Sequence, residues 1–195
     1  MLRKVIVGAV YLFCLVVFRV KRKGQENIKK RGAYIICANH RSNWDPPILV
    51  SNTKRKVHVM AKAELFKNNF IKWFGKVTCV FPVKRGMRDI ESIKHSLKLL
   101  NDGEILVIFP EGTRNGLEKN GKAENGVAYL ALRTGVPVIP VGIQGELKPF
   151  KKVKLNYGKP LDFSEYKTNK PDKELLDKVS KEIMDNIIML TKEEI

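Results

Sequence analysis

Tyr34-Ile35-Ile36-Cys37-Ala38-Asn39-His40-Arg41-Ser42-Asn43-Trp44-Asp45-Pro46-Pro47 passes from a short apolar run, through seven polar or aromatic residues, into a pair of prolines. The run is rich in β-branched residues and carries no helical stripe, which predicts a buried strand over Tyr34–Ala38. The fixed φ of Pro46 and Pro47 suits the first turn of a helix. Strand, loop and helix in that order is the repeating unit of an α/β sheet, where ligands and reacting groups sit beyond the carboxyl ends of strands. His40 falls at such an end, and Asp45 falls where the next helix opens. A carboxylate five residues on can fold back onto the imidazole, fix its ring and stabilise the imidazolium that forms when the ring takes a proton. The same two residues would also serve as ordinary strand-end and helix caps. The chain contains no Gly-x-Ser-x-Gly elbow, so a hydroxyl activated by His40 is expected on the substrate rather than on the protein.

Working outward, the alternation continues. Val57–Met60 predicts a second strand, Val77–Phe81 a third, Ile105–Phe109 a fourth and Val136–Val141 a fifth, whose two prolines suggest a sheet edge or an irregular segment. Val153–Tyr157 is a candidate last strand. Between them, Leu65–Phe74 predicts a very apolar short helix packed in the core. A helix opening at Asp89 has Ile90, Ile93, Leu97 and Leu100 on its inward stripe, and another spans about 124–134 before Gly135. Pro171 and Asp172 open a C-terminal helix with Leu176, Val179, Ile183, Ile187 and Leu190 on one face. The pattern predicts an α/β fold: a single domain with a mostly parallel central sheet flanked by helices.

Residues 1–23 differ from the rest. Arg3 and Lys4 precede an apolar run from Val5 to Phe18, and Arg19, Lys21, Arg22 and Lys23 follow it. About 14 residues fall short of the ~20 that cross a bilayer, and no small-residue cleavage site follows. Aromatics with basic flanks fit a helix embedded in one leaflet. The expected organisation is therefore a membrane-associating helix over 1–23 and a catalytic domain over 24–195.

The 195 residues carry a formal charge of +17, with a pI near 9.9, which predicts attraction to anionic partners. Nucleic acid is not expected among them, because no recognised module appears and aromatics are not interleaved with the basic clusters. Cys14, Cys37 and Cys79 are scattered through apolar runs with neither metal-ligand spacing nor an even-numbered disulfide framework, so a reducing compartment is expected.

Three strand ends carry polar chemistry: His40 with Asp45, then Arg85, then Glu111-Gly112-Thr113-Arg114. In an open α/β sheet these converge on one crevice. Arginine forks there suit a phosphate.

These residues resemble the glycerolipid acyltransferases marked by Asn-His-x4-Asp, and within them the enzymes that act on 1-acylglycerol 3-phosphate (lysophosphatidic acid). Asn39, His40 and Asp45 match the first motif, and Phe81, Val83 and Arg85 match the second, with Cys79 standing where glycine is common. Phe109-Pro110-Glu111-Gly112-Thr113-Arg114 matches the third and Val136-Pro137-Val138-Ile139-Pro140-Val141 the fourth, in order and over about residues 25–160. The resemblance implies that His40 is the general base on the acceptor hydroxyl and that Asp45 orients it. It implies that Arg85 and Arg114 hold the acceptor phosphate, in a pocket shaped by Glu111, Gly112 and Thr113. The alkoxide would attack an acyl thioester, from acyl-CoA or acyl carrier protein, to give phosphatidic acid. No metal or other cofactor is required by that chemistry. An anionic phospholipid membrane, with the domain on its cytoplasmic face, is the implied setting, and each surface Lys or Arg adds roughly 1 kcal/mol there. Two alternatives stand beside it: an acyltransferase acting on glycerol 3-phosphate or another lysolipid, and a non-catalytic protein that binds anionic lipid.

Overall fold

A computed structural model describes residues 2–84, 89–112 and 124–193. Its centre is a seven-stranded sheet of order β1-β7-β6-β2-β5-β3-β4. The strands are β1 (Lys21–Lys23), β2 (Tyr34–Ala38), β3 (Val57–Lys62), β4 (Val80–Val83), β5 (Ile105–Ile108), β6 (Val138–Gly145) and β7 (Val153–Tyr157). All neighbours run parallel except β6 and β7, which pair antiparallel. The mostly parallel α/β sheet read from the sequence is thus present.

Side chains alternate across β2. Tyr34, Ile36 and Ala38 join one core with Ile48, Leu49, Val107, Val141 and Leu155. Ile35 and Cys37 join the other with Leu106, Leu132, Val179 and Ile187. Helices α1 (Leu2–Phe18) and α2 (Asp45–Ser51) cover the first face; α4 (Ile90–Asn101), α5 (Gly126–Thr134) and α6 (Lys173–Lys192) cover the second. At Gly142 the C-terminal helix passes so close that an added Cβ would lie 2.4 Å from the Leu190 carbonyl carbon. A strand apolar on both faces needs a helix on each, which is why β2 reads as a continuous hydrophobic run.

Five details depart from the sequence reading. β6 lies inside the sheet despite Pro140. That proline's missing N–H faces the end of β7, and its carbonyl still accepts the Gly158 N–H at 2.9 Å. Val77 and Thr78 close α3 (Asn69–Thr78) instead of opening a strand, because Cys79 turns the chain at φ 63, ψ 35 and β4 starts only at Val80. The Leu65–Phe74 helix is broken by Asn68, whose side chain caps α3 by accepting the Phe70 N–H. A 3₁₀ turn (Ala63–Lys67) precedes that cap, and Leu65, Phe70 and Trp73 lie exposed rather than in the core. In α4 the inward stripe is rotated. Ser92, Ser96, Leu99 and Leu100 are buried while Ile90 and Ile93 are exposed, because the small serines bond back to Pro82 and to the helix itself. Finally, Lys21–Lys23, expected as the basic flank of the first helix, form the edge strand β1 on β7.

No helix among the described residues is long and apolar enough to cross a membrane. α1 buries Cys14 and Phe18 in the first core and leaves Val5, Leu12 and Val16 about 60% exposed. Phe13, Phe18 and Trp44 form a triangle of rings, with Trp44 5.5 and 5.4 Å from the two phenylalanines, centroid to centroid.

Candidate active site

The loop after β2 is built around one carboxylate. Asp45 is fully buried at the first position of α2, with Pro46 and Pro47 behind it. Its Oδ2 accepts the backbone N–H groups of Arg41 and Ser42, both at 2.6 Å, and lies 2.9 Å from His40 Nδ1. Three groups thus converge on Oδ2 while the buried Oδ1 meets no hydrogen-bond donor among the described residues, and the helix N-terminus favours the carboxylate's charge. With a carboxylate as acceptor, Nδ1 carries the proton and Nε2 presents its lone pair. The ring is 4.4 Å from the Phe109 ring, centroid to centroid, so the third-motif strand supports the imidazole from one side. His40 and Asp45, expected as a pair, are a pair.

Two neighbours hold the loop to the sheet. Asn39 is buried and bonds Ile143 of β6 twice, accepting its N–H at 2.7 Å and donating to its carbonyl at 3.0 Å. Glu111, expected in the substrate pocket, is buried, and its Oε1 accepts the His40 backbone N–H at 2.9 Å. Its carboxylate fixes the His40 loop. Arg41 reaches across to the Gly145 carbonyl at 3.0 Å. The sequence offered a signal for Asn39 only through its place in the motif, and none for Phe109 as a support for the ring.

Gly112 sits at φ 61, and an added Cβ would lie 2.2 Å from Glu124 Oε1. The positive φ strains any side chain there, and one would also have to displace the Glu124 carboxylate. Gly112 and Glu124 line a cavity of about 290 Å³ with Val83, Lys84, Ile93 and Phe109. It lies beyond the carboxyl ends of β4 and β5, on one side of His40. Exposure of Ile93 is explained by this cavity. Arg85, Thr113 and Arg114 lie outside the described residues; Lys84 and Gly112, which adjoin Arg85 and Thr113 in the chain, both face the cavity. A second cavity, an apolar groove of about 520 Å³, runs between α1, α2, α3 and β3. Trp44, Pro46 and Pro47, which follow the His40 loop into α2, form one wall of it, facing Val10, Phe13 and Phe74.

The arrangement is a buried carboxylate–imidazole pair near two cavities, the smaller one carrying Lys84, Asp89 and Glu124 on otherwise apolar walls and the larger one almost wholly apolar, with the Ser42 hydroxyl accepting the Trp44 N–H. It can take a proton from a bound hydroxyl.

The chain matches the family model described as Acyltransferase over residues 19–144. It is 35% identical over 164 residues to the 1-acyl-sn-glycerol-3-phosphate acyltransferase of Bacillus subtilis, covering 80% of each chain. It is 32% identical over 141 residues to that of Streptococcus pneumoniae, covering 69% of this chain and 52% of that protein. The crystal structure of the 1-acyl-sn-glycerophosphate (LPA) acyltransferase PlsC from Thermotoga maritima resembles it with a TM-score of 0.66 at 26% identity, over 95% of this chain and 81% of that one. The chain belongs to the acyltransferase family.

Proposed function

We propose that this protein is a 1-acyl-sn-glycerol-3-phosphate O-acyltransferase, moving a fatty acyl group from a thioester to the sn-2 hydroxyl of lysophosphatidic acid. The observation that carries the reading is the His40–Asp45 pair at 2.9 Å, set in a chain 35% identical to a protein bearing that name. His40 Nε2 takes the hydroxyl proton, and the alkoxide oxygen bonds to the thioester carbonyl carbon. The carbon–sulfur bond then breaks, and the departing thiolate receives the proton from the imidazolium. Asp45 holds the ring and offsets its transient charge. Phosphatidic acid and a free thiol result, and every atom is accounted for without a covalent enzyme intermediate.

The acceptor phosphate is assigned to Arg85 and Arg114 on the motifs these two arginines belong to. A planar fork matches a phosphate with two bonds where lysine offers a point charge. The apolar groove beside Trp44 is assigned to an acyl chain. The exposed face of α1 is assigned to the membrane. The apolar outer surface of α1 is about 25 Å long at 1.5 Å per residue, which suits a helix lying in one leaflet. Anionic phospholipid is the surface a chain of charge +17 would seek, with the domain on the cytoplasmic face, where thioester donors are held.

An acceptor panel tests the substrate. With one acyl donor, Arg114→Ala should lower kcat/KM about 100-fold for 1-acylglycerol 3-phosphate, the worth of a bidentate charged pair, and leave a lysolipid without a terminal phosphate nearly unchanged. An equal loss on both acceptors would remove the phosphate assignment. Better turnover of glycerol 3-phosphate than of its acylated form would move the chain to the earlier acylation.

A further inference from the structure

His40 stands near the middle of the sheet, and the reaction proposed above joins two substrates. The cavity lined by Lys84 and Gly112 occupies the β5, β3 and β4 side. The β6 and β7 side carries a second basic margin that this acceptor assignment leaves unused. β6 neighbours β2 and runs parallel to it, so Gly145 at its end lies at the same end of the sheet as His40. The turn that follows, residues 146–152, is tied to the catalytic loop by the Arg41–Gly145 bond and to α1 by the Phe150 N–H, which donates to the Val17 carbonyl at 2.5 Å.

Lys148, Lys151 and Lys152 on this turn are exposed, as is Arg41. One carboxylate of the turn, Glu146, pairs with Lys148 at 3.1 Å, so the patch keeps a surplus of positive charge. Between these lysines Phe150 is 65% exposed and held at φ 64. Left-handed backbone costs a non-glycine residue on the order of 1 kcal/mol, and a large exposed ring adds a second cost. An aromatic face set among cations is what binds a nucleotide: a base stacks on the ring while its phosphates meet the ammonium groups.

We propose that the β6–β7 turn docks the nucleotide head of a coenzyme A thioester, with the base on Phe150 and the phosphates on Arg41, Lys148, Lys151 and Lys152. The inference rests on the acyl-transfer reading. Each margin of the sheet then receives one phosphate-bearing substrate, and the acyl carbonyl meets the acceptor hydroxyl at His40 between them. A carrier protein has no base to stack, so the exposed ring favours the nucleotide.

The test compares wild type with Lys148→Glu/Lys151→Glu/Lys152→Glu, with Phe150→Ala, and with a control of equal charge change at the opposite end of the sheet, Lys29→Glu/Lys30→Glu/Arg31→Glu. Palmitoyl-CoA and palmitoyl-pantetheine, which lacks every phosphate, serve as donors. Free CoA binding is read by calorimetry, and binding to phosphatidylglycerol–phosphatidylcholine vesicles by sedimentation. The turn variant should raise KM for palmitoyl-CoA about tenfold, with kcat within about twofold of wild type and palmitoyl-pantetheine unaffected. Phe150→Ala should raise the same KM about threefold, and the control should change neither. An unchanged KM for palmitoyl-CoA overturns the site, whether vesicle binding falls instead or a carrier-protein donor proves to be the one affected. Wild type that binds CoA in a turn-dependent way but transfers no acyl group keeps the site and removes the reaction. Wild type that does neither removes both.

Discussion

The indole of Trp44 stacks on the Phe13 ring at 5.5 Å between centroids, with the planes 27° apart, and this contact joins the first helix to the catalytic loop. Trp44 immediately precedes Asp45, the carboxylate that orients His40. If α1 rests on lipid, as proposed, the membrane contact reaches His40 through Trp44 and Asp45. Trp44→Ala should lower acyl transfer to acceptor in vesicles about tenfold while costing a water-soluble short-chain acceptor less than about threefold, since ring contacts of this kind are worth roughly 0.5–1.5 kcal/mol each. Equal losses on the two acceptors would place its role in loop structure alone.

Asn39 fixes the same loop from the sheet side. Both atoms of its amide bond the backbone of Ile143 in a buried setting, so Asn39→Ala leaves an N–H and a carbonyl unpaired there. Stability should fall by about 2–4 kcal/mol in urea unfolding. A loss below about 0.5 kcal/mol would mean that water or another group takes over both bonds.

Cys79 is held at φ 63, ψ 35 as it ends α3. Glycine adopts that conformation freely, so Cys79→Gly should raise stability by up to about 1 kcal/mol, and Cys79→Val should lower it by at least as much. The opposite order would show that the cysteine side chain is needed for packing at this turn.

These particulars mark what the sequence carries and what it hides. The strand, loop and helix around His40 were readable because β-branched runs, a polar stretch and two prolines each act locally. The spacing of His40 and Asp45 allowed a pair but fitted ordinary capping as well, and only the other strand-end motifs favoured the pair. β1 was not readable: Lys21-Arg22-Lys23 has no apolar residue, and its pairing depends on β7, far along the chain. The interior place of β6 was masked by Pro140, whose lost hydrogen bond falls where β7 has already ended. Ile93 imitates a core residue because a cavity wall also needs apolar side chains, whereas Ile90 is simply exposed. Glu111 carries a charge that on sequence alone belongs with ligands, and only the fold brings it to the His40 backbone.

Tyr157 sets an alkaline limit. It is buried beside Thr53, and burial pushes its hydroxyl up to about 12 from an ordinary value of 10.0. The folded state therefore holds its proton more tightly than the unfolded chain. The associated stability is complete below about pH 10 and is lost as pH rises toward 12, by roughly 2–3 kcal/mol across that window. Buried Cys37, also raised, acts in the same direction. Tyr157→Phe should flatten the fall in urea midpoint between pH 9.5 and 11.5; an unchanged slope would assign it to other groups.

The most direct test of the account is acyl transfer to 1-acylglycerol 3-phosphate in anionic vesicles, with wild type beside His40→Ala and circular dichroism on both. Phosphatidic acid from wild type, and at least about 1,000-fold less from a folded His40→Ala, is the predicted result. Product formed at a comparable rate by the folded variant would contradict the role of His40 as the base.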